Sequence, residues 1–124
     1  MNTNQDFKKQ LIKGAFNLAR KIITLVDKFP NKRSAWVIAD QLIRAATSIG
    51  ANIIEAQAAS SKRDFINFLN HALKSGNETK FWLALVKDLD QKLVNEVDFL
   101  LNEAKELTNI LGSSIITLKN KSKF

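Results

Sequence analysis

Apolar residues recur at three- and four-residue spacing along nearly the whole chain, the period of a helix that buries one stripe. From about Gln5 to Lys28, one stripe holds Phe7, Leu11, Leu18, Ile22, Leu25 and Phe29. A second stripe on the same segment holds Ile12, Phe16, Ala19, Ile23 and Val26. Phe29-Pro30-Asn31 ends this first helix, because a residue before proline is pushed out of the helical region. A second helix spans about Arg33 to Ala56, with Asn31 or Ser34 as its expected cap. Its apolar positions are Trp36, Ala39, Leu42, Ile43, Ala46, Ile49 and Ile53. Residues 58–61 form a break, and Ser60 or Ser61 is placed to cap a third helix over about Lys62 to Leu89. That helix carries Phe65, Phe68, Leu69, Ala72, Leu73, Thr79, Leu83 and Val86. Its small residues Ala72, Ser75 and Gly76 would let a neighbouring helix come close. A fourth helix over about Asn95 to Leu118 carries Val97, Leu100, Leu101, Ala104, Leu107, Leu111, Ile115 and Leu118.

Strand signals are weak, since no alternating run is bounded by turn residues. The pattern predicts an all-α domain over residues 1–124, an antiparallel up-down-up-down four-helix bundle. Each helix, at roughly 24 residues, is about 36 Å long. The first two helices carry more apolar surface than a lone bundle buries. That excess points to a homo-oligomer; the plainer reading is a stripe left partly exposed. Lys119 to Phe124 reads as a short basic tail that frays.

The second helix also holds a polar row. Gln41, Arg44, Ser48, Asn52 and Glu55 are spaced 3, 4, 4 and 3 apart, so they share one face. Asp40 is four residues from Arg44 and could pair with it, and Glu78 or another subunit is within its expected reach. Glu55 lies at the helix end where the dipole is negative, so it needs a partner, such as Arg63 or the amides opening the third helix. The row reads first as packing and register, and second as a ligand or RNA site.

The 124 residues include 19 basic and 12 acidic side chains, a net charge of +7. Such a balance favours a polyanionic partner, RNA above all. In the expected bundle, one end collects Lys8, Lys9, Lys13, Lys62, Arg63, Lys119, Lys121 and Lys123 against Asp6, Glu55 and Asp64. The other end balances Lys28, Lys32, Arg33, Lys87 and Lys92 against Asp27, Asp88, Asp90, Glu96 and Asp98. The excess charge is therefore polar along the axis, and its eight cations are the candidate nucleic-acid contacts. They suit phosphates rather than base edges. Plain solubilising lysines are the alternative.

Little here could support a reaction. There is no cysteine, and the single histidine, His71, has no carboxylate four residues away. Neither a G-x-S-x-G elbow nor a phosphate-cradling glycine loop is present. Di-metal bundles need Glu-x-x-His pairs, but Ala58 follows Glu55 and Phe81 follows Glu78 at that spacing. The acids from Asp88 to Asp98 lack calcium-loop spacing and read as a solvated helix junction. No catalytic residue, metal or cofactor is expected. The opening MNTNQDFKKQ has no apolar leader run, and no stretch nears the ~18 apolar residues of a membrane span, so a cytoplasmic, non-membrane protein is expected.

The polar row is also part of a longer motif. Gln41, Leu42, Arg44, Ala45, Ala46, Ser48, Ile49, Asn52, Ile53 and Glu55, then Ser61, Phe65, Phe68, Leu69, Ala72, Ser75 and Glu78, match QLxRAAxSIxxNIxEG followed by Ser and FxxFLxxAxxSxxE. The chain resembles, over nearly its whole length, the four-helix bundle proteins encoded in intervening sequences of bacterial 23S ribosomal RNA genes. Phe29-Pro30 fits that family's first link. Ala56 and Lys74 stand where the family has glycine, Gly50 where it has proline, and Ala59 and Ser60 where arginines are common. The lost arginines weaken a phosphate site at that link. The resemblance implies a homopentamer with an RNA role. It also implies kinship with accessory proteins of diversity-generating retroelements, which bind a reverse transcriptase and nucleic acid; ILGSSIITLKNK near the C-terminus is similar to that group. The expected partners are thus other copies of this chain, RNA or DNA, and a reverse transcriptase. The competing reading is a module that binds only protein.

Overall fold

The computed structural model describes residues 4–121. Among these residues there are four α-helices and no strand: α1 (Asn4–Val26), α2 (Arg33–Ala56), α3 (Lys62–Leu89) and α4 (Val94–Lys121). A single 3-10 turn, Gln91–Leu93, leads into α4. The helices pack as a bundle around one core. Leu18, Ile22, Leu25, Leu42, Ile49, Ile53, Leu83, Val86, Leu100 and Leu111 are almost wholly withdrawn from solvent. Each such side chain contributes about 1.5–3 kcal/mol over its exposed state. No described helix is long and apolar enough to cross a membrane.

The chain breaks where its chemistry requires it, and three helix ends bear on the sequence reading. First, neither Asn31 nor Ser34 caps α2. Lys32 holds the N-cap position in extended backbone and contributes no side-chain bond. Asn31 is taken instead by an indole, its Oδ1 accepting from Trp36 Nε1 at 3.1 Å. Second, α3 is capped as expected by Ser61, whose Oγ accepts from Asp64 N–H at 3.0 Å. Asp64 reaches back, its Oδ2 accepting from Ser60 N–H at 3.2 Å, so two exposed amides are satisfied reciprocally. Third, α4 does not fray at Leu118. It continues through Lys119, Asn120 and Lys121, where two cations meet the negative end of the helix dipole.

Helix pairing is uneven: α2 with α3 is the most extensive, α1 with α4 the least. Small residues set the close pairs. Ser75 Oγ donates to Ser48 Oγ at 2.9 Å across α2 and α3. A Cβ placed on Gly76 would fall 2.5 Å from the Thr108 methyl, so α3 meets α4 at a distance only glycine permits. Between α1 and α4 the link is instead polar. Lys21 Nζ donates to Glu103 Oε1 at 2.6 Å, and in the turn just after α1 Lys28 Nζ donates to Glu96 Oε1 at 2.9 Å. Asp98 pairs with Lys87 of α3, and Asp90 Oδ1 accepts from Lys92 N–H at 2.9 Å. The acids of the α3–α4 junction are thus largely spent on caps and ion pairs.

Candidate nucleic-acid interface

The polar row of α2 divides in the structure. Asn52 Nδ2 donates to Ser48 O at 2.8 Å and to Ser48 Oγ at 3.0 Å, and Ser75 completes the set. These three half-buried side chains fix the register of α2 against α3. Gln41 is half-buried beside them on the same face. Arg44 and Glu55 are exposed, and neither finds its expected partner among the described residues. The reason lies in the neighbours. Ser61 Oγ already takes the Asp64 N–H at the start of α3, and Glu78 Oε2 accepts from Trp82 Nε1 at 3.1 Å. The row is therefore a packing device at its centre and solvated at its edges.

The candidate cations fall into groups. Lys8 from the start of α1 and Lys121 from the end of α4 line one cleft. Lys62 and Arg63 from the start of α3 and Lys119 from α4 line a neighbouring depression with Ile66, Asn67 and Asn70. Both hollows draw on the same two helix ends, so five of the eight expected cations gather at one end of the bundle. Lys9 and Lys13 are exposed on α1, in the same turns as Lys8 but outside both hollows. Lys123 lies outside the described residues. None of Lys8, Lys9, Lys13, Lys62, Arg63 and Lys121 forms a salt bridge with another described residue. Ion pairs among the described residues instead involve Lys21, Lys28 and Lys87. Unneutralised ammonium and guanidinium groups on an exposed end are the electrostatic requirement for phosphate contact.

The first cleft has a volume of about 510 Å³. Its apolar lining comes from Phe7 and Leu11 of α1, Phe65 and Leu69 of α3, and Leu118 of α4. Gln57, Ser113, Ser114 and Thr117 supply polar groups. Lys8 Nζ stands 5.7 Å from the centre of the Phe65 ring, a cation–π distance. Sequence reasoning assigned Phe7, Leu11, Phe65, Leu69 and Leu118 to core stripes and did not foresee an opening between them. The available signal was the hydroxyl group of Ser113, Ser114 and Thr117, which interrupts the apolar pattern of α4 near its end.

Large apolar side chains also stand in solvent. Phe16 and Ile23 of the second α1 stripe are 61% and 44% exposed, and Trp36 and Ile54 of α2 are 56% and 55% exposed. A Cβ on Gly50 would lie 3.5 Å from Ala15 Cβ, so these α1 and α2 stripes flank one seam. His71 is exposed. Among the described residues, no three histidine, cysteine, aspartate or glutamate side chains converge as metal ligands would.

Residues 8–113 match the 23S rRNA-intervening sequence proteins. A crystal structure from Bacteroides thetaiotaomicron, described as a protein of unknown function from the S23 ribosomal protein family, superposes with a TM-score of 0.77. It is 36% identical, over 85% of this chain and 97% of the other. No curated protein matches. A match over most of the chain, agreeing with a similar solved bundle, places this protein in the 23S rRNA-intervening sequence protein family.

Proposed function

We propose that this protein is a non-catalytic, self-associating bundle that binds RNA by its phosphates through the basic end. The observation that carries the reading is the gathering of Lys8, Lys62, Arg63, Lys119 and Lys121 around two adjacent hollows. Helix ends brought together in this way support an up-down-up-down order. In that order the axial charge asymmetry becomes a basic face. The exposed α1–α2 stripe supports a homo-oligomer, and a homopentamer fits the family resemblance. A cyclic assembly of parallel bundles would repeat the basic end around one rim. The family takes its name from intervening sequences of 23S rRNA, and that makes RNA the natural polyanion to test.

Salt tests the reading. Six or so phosphate contacts make affinity fall by about a thousandfold between 50 and 200 mM salt. Charge reversal in Lys62→Glu/Arg63→Glu should weaken RNA binding at every sequence and flatten that slope, with helicity by circular dichroism unchanged. An affinity that ignores both salt and charge reversal overturns phosphate contact.

A further inference from the structure

The basic end is more than a charged surface, because the cleft within it has the makings of a site. Its volume of about 510 Å³ falls in the range of small-ligand pockets, about 300–1,000 Å³. Two phenyl rings, Phe7 and Phe65, line it from different helices. Lys8 and Lys121 stand at the same opening. One wall carries the hydroxyls of Ser113, Ser114 and Thr117.

Those hydroxyls differ from the threonine hydroxyls that are tied into their own helices. Thr24, Thr47, Thr79 and Thr108 each donate to a carbonyl of their own helix. Ser113, Ser114 and Thr117 make no hydrogen bond with any described residue. Gln57 donates its Nε2 to Ile53 O at 2.9 Å and keeps its carbonyl oxygen for another donor. An occupant therefore meets apolar and aromatic surface, a wall of uncommitted donors and acceptors, and cations at the rim.

We propose that this cleft receives an unpaired nucleobase of single-stranded RNA, with the flanking phosphates on Lys8 and Lys121. The inference rests on the phosphate-binding reading above and adds to it a preference for strands whose bases are free. A base offers a flat face for a phenyl ring and a polar edge for hydroxyls and amide. A fatty acyl chain would satisfy the apolar wall and the ammonium groups but leave the hydroxyls and Gln57 without use. Duplex RNA keeps its bases stacked inside and presents only phosphate and ribose to this end.

The test compares three ligands with the same number of phosphates on the full chain: single-stranded RNA, an RNA duplex of half that length, and a strand whose central nucleotides lack bases. Single-stranded RNA is expected to bind about tenfold tighter than either control, the scale of one base–aromatic stack. Phe7→Leu keeps an apolar side chain but removes the ring, and should abolish most of that margin. Ser113→Trp fills the cleft from an exposed position and should do the same without touching the core. Duplex and base-free strands should bind both variants much as they bind the parent. Equal affinity for all three ligands, or a margin that survives both variants, overturns the nucleobase site while leaving salt-dependent phosphate binding intact. Stoichiometric binding of dodecanoate that leaves the RNA margin unchanged would assign the cleft to an amphiphile and overturn it as well. Absence of salt-dependent binding to any of the RNAs overturns both readings together.

Discussion

At the scale of single residues, the tightest of the glycine positions is Gly76. The Thr108 methyl occupies the space a Cβ would take, 2.5 Å from it, and Thr108 is itself 4% exposed. Thr108 has little freedom to yield, since its Oγ1 donates to Lys105 O at 3.0 Å and accepts from Lys80 Nζ at 3.2 Å. Gly76→Ala should gain about 0.5–1 kcal/mol of helix propensity yet lose about 1–3 kcal/mol to overpacking, a net loss. Thr108→Ser removes the methyl and keeps the hydroxyl. The double variant should therefore be more stable than the sum of the single changes, by about 1 kcal/mol or more in urea unfolding. Additive effects would mean that α3 and α4 separate freely, and that the glycine is not what sets their distance. The sequence reading anticipated a close approach at Ala72, Ser75 and Gly76. It could not tell which neighbour would come, because spacing names a face and not its partner.

Among the elements, the clearest boundaries in the sequence were those with a chemical reason. Both ends of α2 and the start of α3 fall where the pattern places them, because Pro30 and the Ser60-Ser61 pair break and restart the chain. Ser61→Ala removes the acceptor for Asp64 N–H and should cost about 1 kcal/mol, read as a lower urea midpoint at unchanged m-value. A stability equal to the parent would mean that Asp64 alone secures the start of α3. Elsewhere the competition was closer. Asn31 is a good cap, but the Trp36 indole claims its oxygen, an outcome set by a side-chain contact five residues away. The end of α4 was placed too early because charged tails usually fray; here Lys119 and Lys121 suit the helix terminus. The cations of the candidate site were legible as charges on helix ends. The cleft between them was not, since Phe7, Leu11 and Leu118 keep the same helical spacing whether they meet a partner or line an opening. That depends on how closely α1 and α4 pack, and theirs is the least extensive pairing in the fold.

For the whole molecule, large apolar side chains left in solvent call for a cover. Phe16, Ile23, Trp36 and Ile54 lie along the α1–α2 seam, and Arg20 sits 5.8 Å over the Phe16 ring, which shields it only in part. Scattered exposed apolar residues need no explanation; a run along one seam does. A second copy of this chain is the partner that the proposed oligomer supplies. In a ring, each copy would lay this seam against its neighbour and leave the basic ends together on one rim. Light scattering should then give a mass near five times the 13.9 kDa of one chain. Phe16→Asp with Ile54→Asp places charge on the seam but not in the core, so the helices should persist while the mass falls to that of the monomer. RNA affinity should fall with it, because the loss of multivalency removes the avidity that neighbouring basic ends provide. A parent protein that runs as a monomer overturns the assembly. A dissociated variant with undiminished RNA affinity keeps the assembly but limits the RNA site to a single bundle.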